Sequence, residues 1–508
     1  MAAFLEDRNR NVIPRWRDFR STVELGELNA SAPTIDHTDA VPDLSSVLDD
    51  WQKHKTVSFA GDLISAALVS GNVMVAREAS EFVITLADNV SPSLRSLARR
   101  VLDLDSTSSL DTGGHFDLSN INAFRPSPEI ANIRKRLVEY PSNAILWVDL
   151  AYFYAIRGSI ERAERAIRIA LNLAPANRFV LRSAARFFIH RDRVDIAHDL
   201  IRRAPGYKTD PWLVAAEIAV AMSAERTPWA TKDAFALLGD DKFATHHLSE
   251  LSSALGTLEF RNGRANKAKK LLRRSLIQAT DNSLAQAQWI SLSMNGLSTE
   301  MTGELSQIPR PYEANAGNAY VKGDWERSLQ AALQWLEDQP FSSRPASMAV
   351  YLAAVIFENF SQAEQITNFG LIANPREHGL HISLAYCYAS TGRFEKAIAE
   401  LAMIDKSTAD EWVHAAVDAN FGLVAFRQGR SDEGRSHYAE AVRKAGLLRD
   451  KRTQVSALIH WASEEATLHN NMAEHLLVEA REVAKGASGS DIPFLLTRLA
   501  GKIAKENK

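Results

Sequence analysis

Apolar residues along this chain recur with a helical period rather than in alternation. In the window NAILWVDLAYFYAIRGSIERAERAIRIALNLAPAN, Trp147, Leu150, Ala151 and Tyr154 stand at steps of three, four and seven. That spacing gathers them on one face of a helix. Gly158 then allows a turn at positive φ, where a side chain would be strained. A second helix follows with Ala163, Ile167 and Ala170 on one face, and Pro175 ends it because proline cannot continue a helix. The pattern predicts two antiparallel helices joined by a tight turn.

The pattern recurs. Leu181, Ala184, Ala185 and Phe188 repeat the first helix, and Ala197, Ile201 and Ala204 repeat the second before Pro205. The two turn positions, Gly158 and Asp192, are 34 residues apart (192 − 158 = 34). Further copies use Leu255, Gly256, Gly263, Ala268 and Leu272; Tyr312, Ala316, Gly323, Ala332, Trp335 and Pro340; and Leu384, Ala385, Tyr388, Gly392, Ala397 and Leu401. Another uses Phe421, Gly422, Gly429, Tyr438 and Ala441, and weaker ones cover 347–375 and 455–484. Leu63, Ala67, Gly71 and Ala76 suit the same places near the N-terminus. These residues resemble the tetratricopeptide repeat, whose pattern is W-x2-L-[G/A]-x2-Y, then Ala, a large apolar residue, Ala and Pro. The resemblance implies an all-α fold, a right-handed superhelical solenoid of antiparallel helical hairpins, with the first helix of each hairpin lining a concave, ligand-holding surface.

Three stretches depart from the pattern. Residues 1–50 read as an irregular segment, in which Pro14 could open a short helix carrying Trp16, Phe19 and Val23. Helical hairpins are expected over 51–102. The polar stretch 103–128, rich in Ser, Asp, Asn and Gly, reads as a linker, since loops of that length are uncommon inside compact domains. The solenoid then fills 129–508, with an irregular patch over 225–241.

Length supports a repeat. A chain of 508 residues exceeds what one ordinary core holds, and a repeat array grows along one axis instead. The 59 basic and 62 acidic residues leave a net charge of −3, which gives no support to nucleic-acid binding. The single cysteine, Cys387, excludes an intramolecular disulfide and a cysteine-built zinc site, and fits a reducing compartment. No basic start followed by an apolar stretch opens the chain, and the most apolar window, from Trp212, is short and carries Glu217. A cytoplasmic protein with no membrane span is expected.

Candidate chemistry is sparse. His378 and His381 lie three apart, without the H-E-x-x-H order or an evident third ligand. His246 and His247 are adjacent and would point apart on a helix. No phosphate-cradling glycine motif and no G-x-S-x-G occurs. Cys387 sits in the apolar stretch LAYCYA and reads as a buried, inert thiol. The arginines at 15, 17 and 20 and the run KAKKLLRR from Lys267 read as solvated outer faces. No catalytic residue, metal or cofactor is expected.

The expected binding residues lie off the core stripe of the first helices. They are Val148, Tyr152 and Ile156, then Arg182 and Arg186 one repeat later, then Tyr386, and then Leu423 and Phe426. Two readings stay open. These side chains form a groove with aromatic anchors and arginines, of the kind enriched at binding hot spots, or they pack on neighbouring helices or on the N-terminal segment. Some repeat proteins of this family grip a C-terminal carboxylate with lysines and asparagines; the matching places here hold Val148 and Tyr152, or Glu313 and Gly317, so that resemblance fails. The leading expectation is a non-catalytic scaffold or adaptor that holds a protein or peptide within a multi-component complex. The alternative is a regulator or effector subunit that binds nucleic acid or a small ligand.

Overall fold

The computed structural model describes residues 10–19, 44–69, 72–86, 90, 94–95, 97–99, 101–102, 127–239, 242–292, 294, 297, 308–405, 407, 409–487 and 489–506. Among them no strand occurs. Of the expected linker at 103–128, residues 103–126 lie outside the described residues, as do Arg20 and Val23, while Ser127 and Pro128 open a helix. Contacts divide the chain into two units, one of residues 24–117 and one of residues 1–23 with 118–508. The first 50 residues are therefore shared between the two units.

The smaller unit contains α1 (Leu44–Lys53), α2 (Val57–Val69) and α3 (Val73–Thr85). Its core gathers Trp51, Leu63, Ile64, Ala67, Ala76 and Val83, with the Trp51 ring edge-on to Phe82 at 6.1 Å. The Asn72 side chain caps α3 by accepting from the Val75 backbone N–H.

The larger unit begins with α4 (Pro128–Glu139) and continues as hairpins. These are α5 (Ala144–Ala155) with α6 (Ile160–Leu173), α7 (Arg178–His190) with α8 (Val194–Arg203), and α9 (Pro211–Ser223) with α10 (Thr231–Leu238). Then come α11 (Ser249–Arg261) with α12 (Ala265–Ser275), α13 (Asp281–Ser291), and α14 (Tyr312–Val321) with α15 (Trp325–Asp338). The array goes on with α16 (Ser343–Tyr351) and α17 (Phe360–Ala373), α18 (His378–Ser390) and α19 (Phe394–Ala402), and α20 (Glu411–Arg427) and α21 (Ser431–Leu447). It ends with α22 (Lys451–Thr467), α23 (Met472–Ala484) and α24 (Asp491–Glu506).

One turn geometry closes most hairpins. Gly158, Asp192, Glu225, Gly263, Gly323, Gly392 and Gly429 all have positive φ. In each case the following N–H reaches back across the helix end, as in Ser159 N to Tyr154 O at 2.9 Å and Arg193 N to Phe188 O at 2.9 Å. The same bond recurs from Arg226 to Ala221, Arg264 to Glu259, and Arg393 to Tyr388. This is the Schellman arrangement, which satisfies carbonyls that a helix end leaves open. Gly158 is required twice over: besides its φ of +68°, an added Cβ would lie 2.4 Å from the Ile372 carbonyl oxygen. Where helices of one hairpin cross, small residues face large ones: a Cβ at Gly422 would lie 2.7 Å from the Tyr438 ring.

Two expectations change. The patch over 225–241 contains α10, the second helix of a hairpin. Its start is held by buried Glu217, which accepts from the N–H of Trp229 (2.9 Å) and Ala230 (3.3 Å) and pairs with His198 Nε2 at 2.9 Å. Pro14 opens no helix. Residues 10–18 have no regular structure, and burial alternates, with Val12, Pro14 and Trp16 covered more fully than Ile13, Arg15 and Arg17. Alternation of this kind marks an extended chain. Beyond these, α16 runs on from Tyr351 into a π-helical turn, Leu352–Ile356. Arg498 on α24 donates to the Val355 and Ile356 carbonyls at 2.7 and 3.0 Å.

Candidate functional site

The first helices of the larger unit turn their second faces toward residues 10–19. Arg10 is buried and forks onto Glu313, with Nε to Oε1 at 2.8 Å and Nη2 to Oε2 at 2.9 Å. Gln286 accepts from Arg10 Nη1 and donates to the Arg10 carbonyl at 3.0 Å. Asn11 donates to Ser223 Oγ at 2.7 Å, and Asn282 Nδ2 donates to the Ile13 carbonyl at 2.9 Å. Arg15 bonds Gln339 Oε1 at 2.9 Å and pairs with Glu313 and Asp281. Arg17 forks onto Asp338 at 2.8 and 2.7 Å and reaches Asp281 at 2.7 Å. Last, the Phe19 N–H donates to Asp149 Oδ1 at 2.7 Å.

Between the arginines, Trp16 enters an aromatic box. It is fully buried, with ring centroids 5.4 Å from Tyr152, 6.0 Å from Phe187 and 5.4 Å from Phe341. The contacts with Tyr152 and Phe187 are edge-to-face, and such pairs contribute beyond the area each ring buries. Phe341, in the connection between α15 and α16, is the hub: Tyr152 lies 5.9 Å away, His190 5.9 Å, and the Arg186 guanidinium 4.8 Å over its face.

The charges are matched but crowded. Burial alone would raise the Glu313 carboxyl, yet Arg10, Arg15 and Arg344 outweigh it and hold its pKa well below the ordinary value. Burial likewise opposes the Arg17 charge, and Asp281 and Asp338 overcome it. For Arg186 the balance goes the other way, because the pull of Glu313 is outweighed. Burial, with Arg15 and Arg344 adding repulsion, lowers its pKa to about 9.

Five of the eight expected binding residues belong to this region, and none is a free surface residue. Val148 and Tyr152 are buried, and Trp16 covers Tyr152, as in the reading that packs these side chains on the N-terminal segment. Arg182 is buried, donating to Glu250 at 3.0 Å over the Trp212 ring at 4.7 Å. Glu250 in turn accepts from Asn282, the residue that holds the Ile13 carbonyl. Arg186 stands over Phe341, and Ile156 is half-buried at the end of α5. The other three lie elsewhere. Tyr386 contacts Phe360 and His460 at 6.0 and 5.2 Å, while Leu423 and Phe426 are buried in the core that includes Tyr438.

The arginines at 15 and 17 are a second correction. They form no solvated face but are the most heavily paired cations of the groove, drawn in by Asp281, Glu313 and Asp338. Lys267 is also more engaged than an outer-face residue, pairing with buried Glu259 at 2.7 Å and lying 4.2 Å over Phe235. His246 and His247 sit on a short 3-10 helix with their rings 4.8 Å apart, not on an α-helix pointing apart. Sequence reasoning missed Asp281, Asn282, Gln286, Glu313, Asp338 and Phe341. For Asp281, Asn282, Gln286 and Glu313 the available signal was polar residues on first helices, where the solenoid pattern leaves one face uncommitted; Asp338 ends a second helix and Phe341 lies in a connection.

Other candidates have structural partners. Both His381 nitrogens are engaged, by Glu400 at 2.7 Å and the Pro375 carbonyl at 3.1 Å. Cys387 is buried, and burial pushes its thiol up to about 12. Among the described residues no cluster of three or more His, Cys, Asp or Glu could hold a metal ion. No described helix is long and apolar enough to cross a membrane.

No protein-family model matches the sequence, and no curated protein matches it. Solved structures are similar only in fold. The Cut9 and Hcn1 hetero-tetramer structure shares 13% identity over 90% of this chain and 92% of the other, at a TM-score of 0.39. A human IFIT1 dimer with PPP-AAAA shares 16% over 75% and 99%, at 0.34, and yeast Tom70 shares 12% over 89% and 97%, at 0.33. Such scores carry no argument about partners. The architecture rests on the chain's own geometry, in which repeated helical hairpins share one turn bond and one small-against-large crossing. It is a tetratricopeptide-like array. In these terms the groove is built from the faces of first helices that the hairpin cores leave unused.

Proposed function

We propose that this protein is a non-catalytic interaction scaffold or adaptor, one component of a larger complex, that holds an extended segment of another protein in this groove. One observation carries the reading: the first helices already engage an extended segment, residues 10–19, by its backbone at Arg10, Ile13 and Phe19 and by its side chains. Side chains that satisfy a main chain in extended form are the mark of peptide recognition.

The test is native affinity purification of the full chain with nuclease treatment, beside an Asp281→Lys/Asp338→Lys variant checked by circular dichroism. A stoichiometric protein partner that survives nuclease and is lost from the folded variant supports the reading. Nuclease-sensitive recovery of nucleic acid, or a partner retained equally by the variant, contradicts it.

A further inference from the structure

We infer that residues 10–19 are an exchangeable occupant, and that the groove is a receptor for a partner segment of the same chemistry, an extended chain with arginines placed as Arg10, Arg15 and Arg17 and an aromatic placed as Trp16. The inference rests on the scaffold reading and names the ligand class of that site.

Three features distinguish this segment from an ordinary piece of core. It contributes no helix to any hairpin, and its hydrogen-bond partners lie 130 to 324 residues away in sequence. Its contacts divide into subsites: Glu313 and Gln286 for the first arginine, an aromatic box for the tryptophan, and Asp281 with Asp338 for the last arginine. Forked arginine–carboxylate pairs give both energy and geometric selection. Pro14 fits because its place in the extended chain calls for no N–H donor.

The third feature is that the docking charges are shared rather than singly paired. Glu313 is shared among Arg10, Arg15 and Arg344, and Asp338 between Arg17 and Arg310. Arg186 is left pressed by Arg15 and Arg344. When the segment leaves, three arginines return to water and Arg186 loses its repulsion from Arg15, which offsets part of the lost pairing with Asp281, Glu313 and Asp338. In the intact chain the covalent link makes redocking of the segment intramolecular. A partner must outcompete that, by affinity or by avidity.

The experiment divides the chain. Residues 1–30 and 31–508 are co-expressed as two polypeptides, and the purified complex is chased with a fluorescent synthetic peptide of residues 10–19. The expected result is sequence-specific exchange. The labelled peptide enters the two-chain complex within hours, peptides with Trp16→Ala or Arg17→Glu bind at least tenfold more weakly, and the undivided chain takes up at least tenfold less label. Failure of the two polypeptides to assemble, absence of exchange over days, or equal binding of the altered peptides overturns the inference. If exchange fails while the Asp281→Lys/Asp338→Lys variant still loses the natural partner, this inference falls and the scaffold reading stands. Exchange that succeeds beside a partner unaffected by that variant overturns the placing of the natural partner in the groove.

Discussion

Glu313→Gln is the most informative single change. It keeps the shape of the side chain and removes the charge that Arg10, Arg15 and Arg344 share. Breaking a buried ion pair by neutralising one partner costs about 3–5 kcal/mol, because the cation left behind is uncompensated. Here the protein has an escape, since Arg10 and Arg15 are on a segment that can leave for water. The cost is then capped by the docking free energy of residues 10–19, and it appears as release rather than as unfolding of the array. A shift of about 3 kcal/mol raises the open population on the order of 100-fold. Limited trypsin digestion under native conditions reads this directly, because Arg10, Arg15 and Arg17 are cleavage sites only when undocked. The expected outcome is cleavage after these residues faster by about two orders of magnitude, with little change in helical circular dichroism. Wild-type protection in the variant would refute the charge argument. Loss of the helical signal with no change in early cleavage would refute the idea that the segment is separable.

The remaining predictions concern the array. Ala163→Asp puts a charge where Ala163 is fully buried and should cost roughly 3 kcal/mol or more. Lys267→Asp should cost less, about 1–2 kcal/mol, through the loss of its bond to Glu259; equal melting temperatures would refute the assigned faces. Gly158→Ala should lower the melting temperature more than Gly392→Ala, which meets strain of about 1–2 kcal/mol from positive φ but no atom within 4 Å of the added Cβ. Equal shifts would deny the contact between Gly158 and Ile372. Acidification should destabilise from pH 6.5 downward. Burial lowers His190 to about 3, and His247 and His460 to about 4, so the unfolded chain takes up protons that the folded one refuses. His190 and His460 each contribute a loss of up to about 2 kcal/mol by pH 5, and the more exposed His247 contributes less. A melting temperature flat between pH 7 and 5 would contradict this.

The hairpins were legible in the sequence because one periodicity and one turn geometry repeat, and Gly158, Ala163 and Tyr154 each carry part of that signal. The turns at Glu225 and Glu358 were not, because positive φ there falls on glutamates, and no residue type announces it. The groove was half legible. Tyr152 and Arg186 stood out as residues off the core stripe, and that face is the one the segment uses. The occupant could not be read, because pairing Arg17 with Asp338 and Phe19 with Asp149 requires the array to be folded first. Local pattern suggested a helix from Pro14. Tertiary contacts with Asn282 and Trp16's aromatic box hold the chain extended instead.

Hydrogen exchange of the amides from Val12 to Phe19, followed by mass spectrometry in the intact chain, tests the central claim most directly. A docked but separable segment should exchange much more slowly than a solvated chain, yet open while α5, α7 and α13 stay protected, with a free energy below that of global unfolding. Exchange at the solvated rate would show that the segment does not occupy the groove. Exchange only together with the surrounding helices would show that it is fixed core, and the groove would be no receptor.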